Sequence, residues 1–185
     1  MGIEIEKKYR LTAERLAALR ERLAEVGARR RGEEFEENTL YAGHNLEQGN
    51  RTLRLRRTDA RAVLTFKERF ATTSPIKHQR EDETLVEDPE ALAAILDALG
   101  YRPALVYEKR RETWRVGDTE VVIDQLPFGL FAEIEGDEPS IDAAERLLNL
   151  HDAEVEHATY PHLTRQHGTK HDDRIEARFP RDASG

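Results

Sequence analysis

The chain has 185 residues, no cysteine, 36% charged side chains and a formal net charge of −8. This length predicts one domain with a sizeable core. The lack of cysteine excludes disulfides, thiolate metal ligands and a cysteine nucleophile, and the acidic balance argues against broad nucleic-acid binding. No apolar run is long enough to cross a bilayer and the acidic N-terminus does not resemble a signal peptide, so we expect a cytoplasmic protein.

The first half of the chain carries one helix signal followed by strand signals. Residues 3–10 alternate in polarity, which predicts a strand. Thr12 is expected to cap a helix that ends at Gly27. Further strands are predicted at residues 35–41, 52–57, 62–67 and 77–86, with loops at 42–50 and 71–75.

The second half repeats the mixture of helices and strands. Asp88 and Pro89 predict the start of a helix that ends at Gly100. Strands are predicted at residues 105–116, 120–125 and 130–135, followed by a helix at 139–150 capped by Ser140 or Asp142 and a short helix after Tyr160-Pro161. We expect a domain over residues 1–167 and a polar, flexible tail over 168–185. Runs of strands joined by short turns predict an α+β class with an antiparallel sheet.

Charged side chains of the same sign recur two residues apart within the predicted strands. The acidic pairs are Glu4/Glu6, Glu81/Glu83 and Glu133/Glu135, and the basic pairs are Arg54/Arg56 and Lys109/Arg111. Residues two apart on a strand share a face. One such strand alone is typical of an ordinary solvent-facing surface. Repeated doublets of one sign instead favour a concave or closed interior with something bound between the charges.

An interior that carries both signs suits a complex of metal and polyphosphate. Carboxylate clusters bind hard cations such as Mg²⁺ or Mn²⁺ through oxygen. Arginine and lysine clusters bind phosphate, arginine through its two-pronged guanidinium group. A small eight-stranded barrel encloses about enough space for one small ligand.

At this point the residues resemble a known family. Glu4-x-Glu6-x-Lys8 is similar to the opening signature of the CYTH family, also called triphosphate tunnel metalloenzymes, named after a class of bacterial adenylate cyclase and thiamine triphosphatase. The similarity continues, in order, through Leu53-Arg54-Leu55-Arg56, Thr65-Phe66-Lys67, Glu81-x-Glu83, Lys109-x-Arg111, Ile123-Asp124 and Phe131-Ala132-Glu133-Ile134-Glu135. It spans roughly residues 3 to 165.

The resemblance implies an eight-stranded antiparallel β-barrel, the triphosphate tunnel, with helices packed outside. The implied metal ligands, for Mg²⁺ or Mn²⁺, are Glu4, Glu6, Glu133 and Glu135. The implied phosphate-binding residues are Lys8, Arg54, Arg56, Lys67, Lys109 and Arg111. The implied catalytic residues are Lys8, Lys67, Glu81, Glu83 and Asp124, with Glu81 and Glu83 holding basic groups or a second metal. Gln125 departs from the pattern, because many relatives carry a second acid there.

Three functions remain open at this stage. The first is a metal-dependent triphosphatase that acts on inorganic triphosphate, thiamine triphosphate or a nucleoside triphosphate. The second is a class IV-type adenylate cyclase that makes cyclic AMP and pyrophosphate from ATP, favoured slightly by the turn at residues 126–130. The third is a polyphosphate-binding module without catalysis. The expected partner is a small-molecule triphosphate rather than nucleic acid or membrane, and a homodimer is an open option.

Overall fold

The computed structural model describes residues 5–46, 51–69 and 79–181. Their packing defines two compact units. Unit 1 comprises the described residues of 35–109 and 159–181, and unit 2 comprises residues 5–34 and 110–158. Glu4 and the predicted loop at 71–75 lie outside the described residues.

Eight long strands, three short strands and four α-helices are present in the described part of the chain. The long strands are β1 (Glu6–Leu11), β2 (Arg29–Ala42), β3 (Arg51–Arg57), β4 (Ala62–Arg69), β5 (Gln79–Val86), β6 (Arg102–Val116), β7 (Thr119–Leu126) and β8 (Gly129–Glu135). The short strands are β9 (Glu154–Val155), β10 (Thr169–His171) and β11 (Arg174–Ala177). The helices are α1 (Ala13–Glu25), α2 (Pro89–Ala98), α3 (Glu138–Leu147) and α4 (Tyr160–His167), and a 3-10 turn spans His44–Leu46.

Unit 2 packs α1 and α3 against one face of its strands. Hydrogen bonding orders the strands β6-β7-β8-β1-β9. The core contains Tyr9 of β1 and Ile134 of β8, together with the apolar stripe of α1 at Leu16, Leu19 and Leu23. Because side chains alternate along a strand, Lys8, Glu133 and their neighbours two residues away lie on the opposite face.

Helix caps in both units follow the expected chemistry with one correction. The Thr12 side chain accepts a hydrogen bond from the Arg15 backbone N–H, as predicted. The cap of α3 is Asp137, whose carboxylate accepts from the Ser140 backbone N–H at 2.7 Å, rather than Ser140 or Asp142. The helix therefore begins earlier than predicted, since Pro139 fits its first turn.

Unit 1 orders its strands β5-β4-β3-β2-β6 and packs α2 over one face. Leu53 and Leu55 of β3 lie in the same core as Leu96 of α2. Asp88 caps α2 through the Ala91 backbone N–H at 2.8 Å. Gly100 follows the helix with a φ of 85°, a left-handed conformation that ends it.

The segment after residue 167 differs from the predicted flexible tail. Strands β10 and β11 form a hairpin, and β11 runs parallel to β6, with Ile175 opposite Leu105. Ala177 is buried, and the Arg178 side chain lies 2.5 Å from Glu37 and 2.9 Å from Glu108. These contacts within unit 1 are distant in sequence, so local polarity did not reveal them.

The predicted class, α+β with an antiparallel sheet, is confirmed. Eight strands are found near their predicted positions, although β2 begins at Arg29 rather than Phe35. The short strands β9 to β11 were not predicted, and the β11–β6 pair is parallel. Closure of the strands into a barrel stays a prediction. Within the described residues, each helix is too short or too polar to cross a membrane.

Candidate phosphate and metal sites

Four basic side chains of unit 1 occupy the strand faces that point away from α2. Arg54 and Arg56 alternate with the core residues of β3. Lys67 lies on β4, opposite Thr52 in the strand register, and Lys109 lies on β6. Lys109 is buried, and its Nζ lies 5.4 Å from the centre of the Tyr160 ring. These are the predicted phosphate-binding residues of this unit.

Two carboxylates on β5 pair with these cations. Lys67 Nζ lies 2.8 Å from Glu81 Oε2. The buried hydroxyl of Thr65 donates to Glu83 Oε1 at 2.6 Å and accepts from Arg54 Nη2 at 3.5 Å. The Thr65 hydrogen bond is the main reason that the pKa of Glu83 is lowered from its usual 4.5. Glu81 and Glu83 thus contact basic groups, one of the two roles that the resemblance implies.

A third carboxylate, Glu36 on β2, lies beside the same cations and is only 1% exposed. Its Oε2 accepts from Asn38 Nδ2 at 3.1 Å. The same oxygen lies 3.3 Å from Lys109 Nζ and 3.6 Å from Arg56 Nε. A hydrogen bond from Asn38 and two nearby cations make burial of the charge tolerable.

Several polar atoms on this face are buried without a hydrogen bond. The Nε atoms of Arg54 and Arg56 have no hydrogen-bond acceptor, and the Oδ1 atom of Asn38 has no hydrogen-bond donor. Buried polar atoms in proteins are nearly always satisfied by protein, water or ligand. Two unsatisfied guanidinium donors on one strand face fit an anion with several oxygens.

Unit 2 contains a connected network of predicted site residues. The Arg111 guanidinium donates to both oxygens of Asp124, at 2.8 and 2.6 Å, and to Glu133 Oε2 at 2.8 Å. Lys8 Nζ lies 3.7 Å from Glu133 Oε1 and donates to the Ala158 carbonyl at 2.7 Å. Asp124 is fully buried, while Lys8 and Glu133 are nearly so. The network brings together Lys8, Arg111, Asp124 and Glu133.

Next to this network, acidic residues of three neighbouring strands share one row. Glu6 of β1 lies directly opposite Glu135 of β8. Glu135 lies directly opposite Glu120 of β7. Like charges in such positions destabilise a sheet unless a cation separates them.

This donor set matches the carboxylate oxygens that Mg²⁺ and Mn²⁺ prefer, so the residues fit a hard cation. In the described ranges, however, no three His, Asp or Glu side chains converge as an ion's ligands. Glu4, the fourth implied ligand, lies outside those ranges.

Four residues in these clusters were not among the predicted site residues. Glu36 and Asn38 lie two apart on β2, and Glu120 lies four residues before Asp124 on β7, so strand periodicity could have placed both carboxylates on the charged faces. Thr65 belongs to the stretch Thr65-Phe66-Lys67, which resembles the family, but no role was predicted for it. Its uncharged hydroxyl carries no pattern that distinguishes it from a structural threonine.

The sequence is similar to a known domain family and to a named relative. Residues 2–159 match the CYTH domain. A protein of Methanocaldococcus jannaschii named "Putative adenylate cyclase MJ0240" is 27% identical over 150 residues, which cover 79% of this chain and 83% of that protein.

Solved structures share the fold at lower identity. The PH1012 protein of Pyrococcus horikoshii OT3 superimposes with a TM-score of 0.71 and 23% identity, covering 85% of this chain and 96% of that one. The HpAC1 protein of Hippeastrum, named "Putative adenylyl cyclase" and described as having a dominant triphosphatase activity, superimposes with a TM-score of 0.69 and 18% identity. The match covers 90% of this chain and 96% of that one. At such identities the likeness establishes the fold alone.

Proposed function

Because the chain belongs to the CYTH domain family, we propose that it is a divalent-metal-dependent enzyme that hydrolyses a phosphoanhydride bond of a triphosphate. The observation that carries this proposal is the pair of buried, unsatisfied Nε donors on Arg54 and Arg56. Carboxylates lie within 4 Å of both guanidinium groups but do not accept hydrogen bonds from these Nε atoms, whereas a polyphosphate supplies several charged acceptor oxygens.

The basic residues of unit 1 are proposed to bind phosphate oxygens. Arg54 and Arg56 would donate through Nε and through the terminal nitrogens, and Lys67 and Lys109 would add compact positive charges. Glu81 and Glu83, which lie within 4 Å of Lys67 and Arg54, would give up these cations when the phosphate arrives. The ion pairs therefore keep the empty face neutral and leave its basic groups in place.

The acidic residues of unit 2 are proposed to hold the metal. The ligand candidates are Glu4, Glu6, Glu133 and Glu135. A divalent metal bound there supplies Lewis-acid charge neutralisation of the phosphate oxygens. Arg111 and Lys8, which contact Glu133, would orient that carboxylate and contribute positive charge. Asp124 would hold Arg111 in position through its two hydrogen bonds.

In the proposed hydrolysis, a water oxygen forms a bond to phosphorus and the bridging P–O bond breaks. The diphosphate portion leaves with the electron pair, and the proton of the attacking water passes to a carboxylate of the site, while Lys8 and Lys67 stay protonated. Positive side chains stabilise the charge that develops on the oxygens. The nucleophile sets the reaction class, since attack by a ribose hydroxyl on the α-phosphorus would make cyclic AMP and pyrophosphate instead.

The cyclase is kept as the second candidate because the relative from Methanocaldococcus jannaschii carries that name. Against it, the Hippeastrum relative is described as mainly a triphosphatase although it is named a cyclase. Incubation with ATP and Mn²⁺, followed by chromatography, separates the two. ADP with phosphate supports the hydrolase, and cyclic AMP with pyrophosphate supports the cyclase.

The general proposal is tested with inorganic triphosphate, thiamine triphosphate and ATP in the presence of Mg²⁺ or Mn²⁺. We expect phosphate release from at least one substrate and its loss on chelation of the metal. Arg56→Met should weaken turnover on the same substrate at least tenfold, whereas Arg51→Met, an exposed residue of the same strand, should not. Tight triphosphate binding with no turnover of any substrate would favour the binding module instead.

A further inference from the structure

Glu36 differs from Glu81 and Glu83, the two other carboxylates that contact the basic residues of this site, in that it cannot withdraw into solvent. Its side chain is fully buried, and its Oε2 accepts a hydrogen bond from Asn38 and lies beside the cations of Lys109 and Arg56. Glu81 and Glu83 lie on β5 with side chains 27% and 47% exposed. A rotation about their side-chain bonds would move these two carboxylates into water when an anion approaches.

An anion bound to Arg56 and Lys109 would therefore meet the Glu36 charge nearby. The Glu36 carboxylate lies within 4 Å of both cations, so phosphate oxygens on the same cations would lie only a few ångströms further away. Two negative charges at such a distance repel each other strongly in the interior of a protein. The repulsion acts equally on the substrate and on any anionic product at that position.

We propose that Glu36 is a fixed counter-charge of the phosphate site. It positions Lys109 and Arg56 while the site is empty, and it limits how tightly the site retains diphosphate or phosphate after the reaction. The inference rests on the proposed function, because it assumes that Arg56 and Lys109 bind phosphate. Glu36 is a positioning residue and touches no reacting atom.

The change in anion affinity on removal of the Glu36 charge distinguishes this proposal from a merely structural role, because the two predict changes of opposite sign. If Glu36 only supported Lys109 and Arg56, its removal would loosen both cations and weaken anion binding. If it opposes the anion, removal of its charge strengthens anion binding, provided that the side-chain shape is kept. Glu36→Gln retains the size and an acceptor oxygen for Asn38 and Lys109 while removing the charge.

The test measures binding of inorganic diphosphate and inorganic triphosphate to the full chain by calorimetry, without divalent metal so that no turnover occurs. We expect Glu36→Gln to bind diphosphate at least tenfold more tightly than the parent and to release it more slowly in stopped-flow displacement. Glu33→Gln, an exposed glutamate of the same strand, is the matched control and should change the Kd less than about twofold. An unchanged or weaker affinity of Glu36→Gln overturns the inference.

A second pair of variants covers the case in which Glu36→Gln does not fold. The double variant, Lys109→Met and Glu36→Gln, lacks both charges of the buried pair. Its control is the single variant Lys109→Met. Because Arg56 remains, the double variant should still bind diphosphate more tightly than the single variant, and equal or weaker binding overturns the inference.

Failure of the proposed function gives a different result. If the parent protein binds neither diphosphate nor triphosphate, with or without Mn²⁺, both the proposed function and the role of Glu36 are wrong. If the parent protein binds them and the Glu36 variants show no gain in diphosphate affinity, only the counter-charge role of Glu36 is wrong.

Discussion

The Arg111 guanidinium donates from Nε to Asp124 Oδ1 and from Nη2 to Asp124 Oδ2, at 2.8 and 2.6 Å, and Asp124 has no exposed surface. This two-pronged contact joins strands β6 and β7 directly across their register. It also orients the nitrogen that reaches Glu133 at 2.8 Å. One buried aspartate therefore controls the position of a predicted phosphate-binding arginine.

Asp124→Asn should destabilise the chain strongly. The amide keeps the size but loses the charge and one acceptor, and it leaves Arg111 in a partly buried position with an incomplete partner set. Removal of one partner of a buried ion pair costs about 3–5 kcal/mol. Urea unfolding measures the change, with Asp118→Asn in the exposed turn after β6 as the control. A loss below about 1 kcal/mol would contradict the importance of this contact.

Thr65→Val should change how stability depends on pH. The Thr65 hydrogen bond lowers the pKa of Glu83, so Glu83 stabilises the fold above its usual pKa of 4.5 and loses this contribution as the pH falls through the lower, folded value. Valine keeps the shape without the hydroxyl, so the pKa of Glu83 should rise toward 4.5 and the acid-sensitive contribution should shrink.

Two measurements check this expectation for Thr65. An NMR titration follows the Glu83 carboxyl carbon, and urea unfolding at pH 7 and pH 3 gives the difference in stability. At pH 7 the variant should lose about 1–2 kcal/mol, as expected for a hydrogen bond to a charged group. Thr84→Val, an exposed threonine on β5, serves as the control. An unmoved Glu83 titration would refute the assigned cause of its shift.

Arg178→Met should loosen the C-terminal strand. The Arg178 guanidinium contacts Glu37, Glu108 and Glu176, and these carboxylates raise its pKa above the usual value. Without it, three carboxylates within unit 1 lose a shared cation, and we expect a loss of about 2 kcal/mol. Faster hydrogen exchange of the β11 amides is the second readout, and Arg181→Met is the exposed control. Unchanged exchange would show that the strand is held by its backbone pairing alone.

Much of unit 2 followed from local sequence patterns. Thr12 and the leucines of α1 indicate a capped amphipathic helix. The alternation of apolar and charged residues in β8 places Ile134 on one face and Glu133 and Glu135 on the other. Such features depend on neighbours within a few residues, so a sequence can express them directly. The class of fold and the order of its main strands were predictable for the same reason.

Features that depend on distant residues were missed. The sequence places Glu36 two residues from Asn38, but its burial depends on Lys109 and Arg56, which lie far away along the chain. Likewise, Arg178 appears as one more charge in a polar tail until Glu37 and Glu108 are brought beside it. Short-range polarity contains no information about such contacts, and the low apolar content of this segment gave no sign of strands β10 and β11.

Glu135→Gln should abolish metal-dependent turnover and leave the fold intact. Glu135 lies opposite both Glu6 and Glu120, so its charge raises the repulsion in that acidic row when no cation is bound. The amide keeps the size of the side chain and removes one negative charge from this row, so the variant should remain folded. Glutamine is a weaker ligand for a hard cation than a carboxylate, so we expect Mn²⁺ binding to weaken at least tenfold and turnover to fall about a hundredfold.

Glu133→Gln should lose turnover as well, but with a different effect on stability. Arg111 and Lys8 both contact Glu133, so its removal leaves two buried or half-buried cations with one partner fewer. This variant should therefore melt earlier than the parent. The measurements are Mn²⁺ binding by electron paramagnetic resonance, turnover at saturating Mn²⁺ and thermal melting, with the exposed Glu138→Gln as the control. If Glu135→Gln melts like the parent, binds Mn²⁺ equally well and keeps more than about a third of the rate, Glu135 is not a metal ligand.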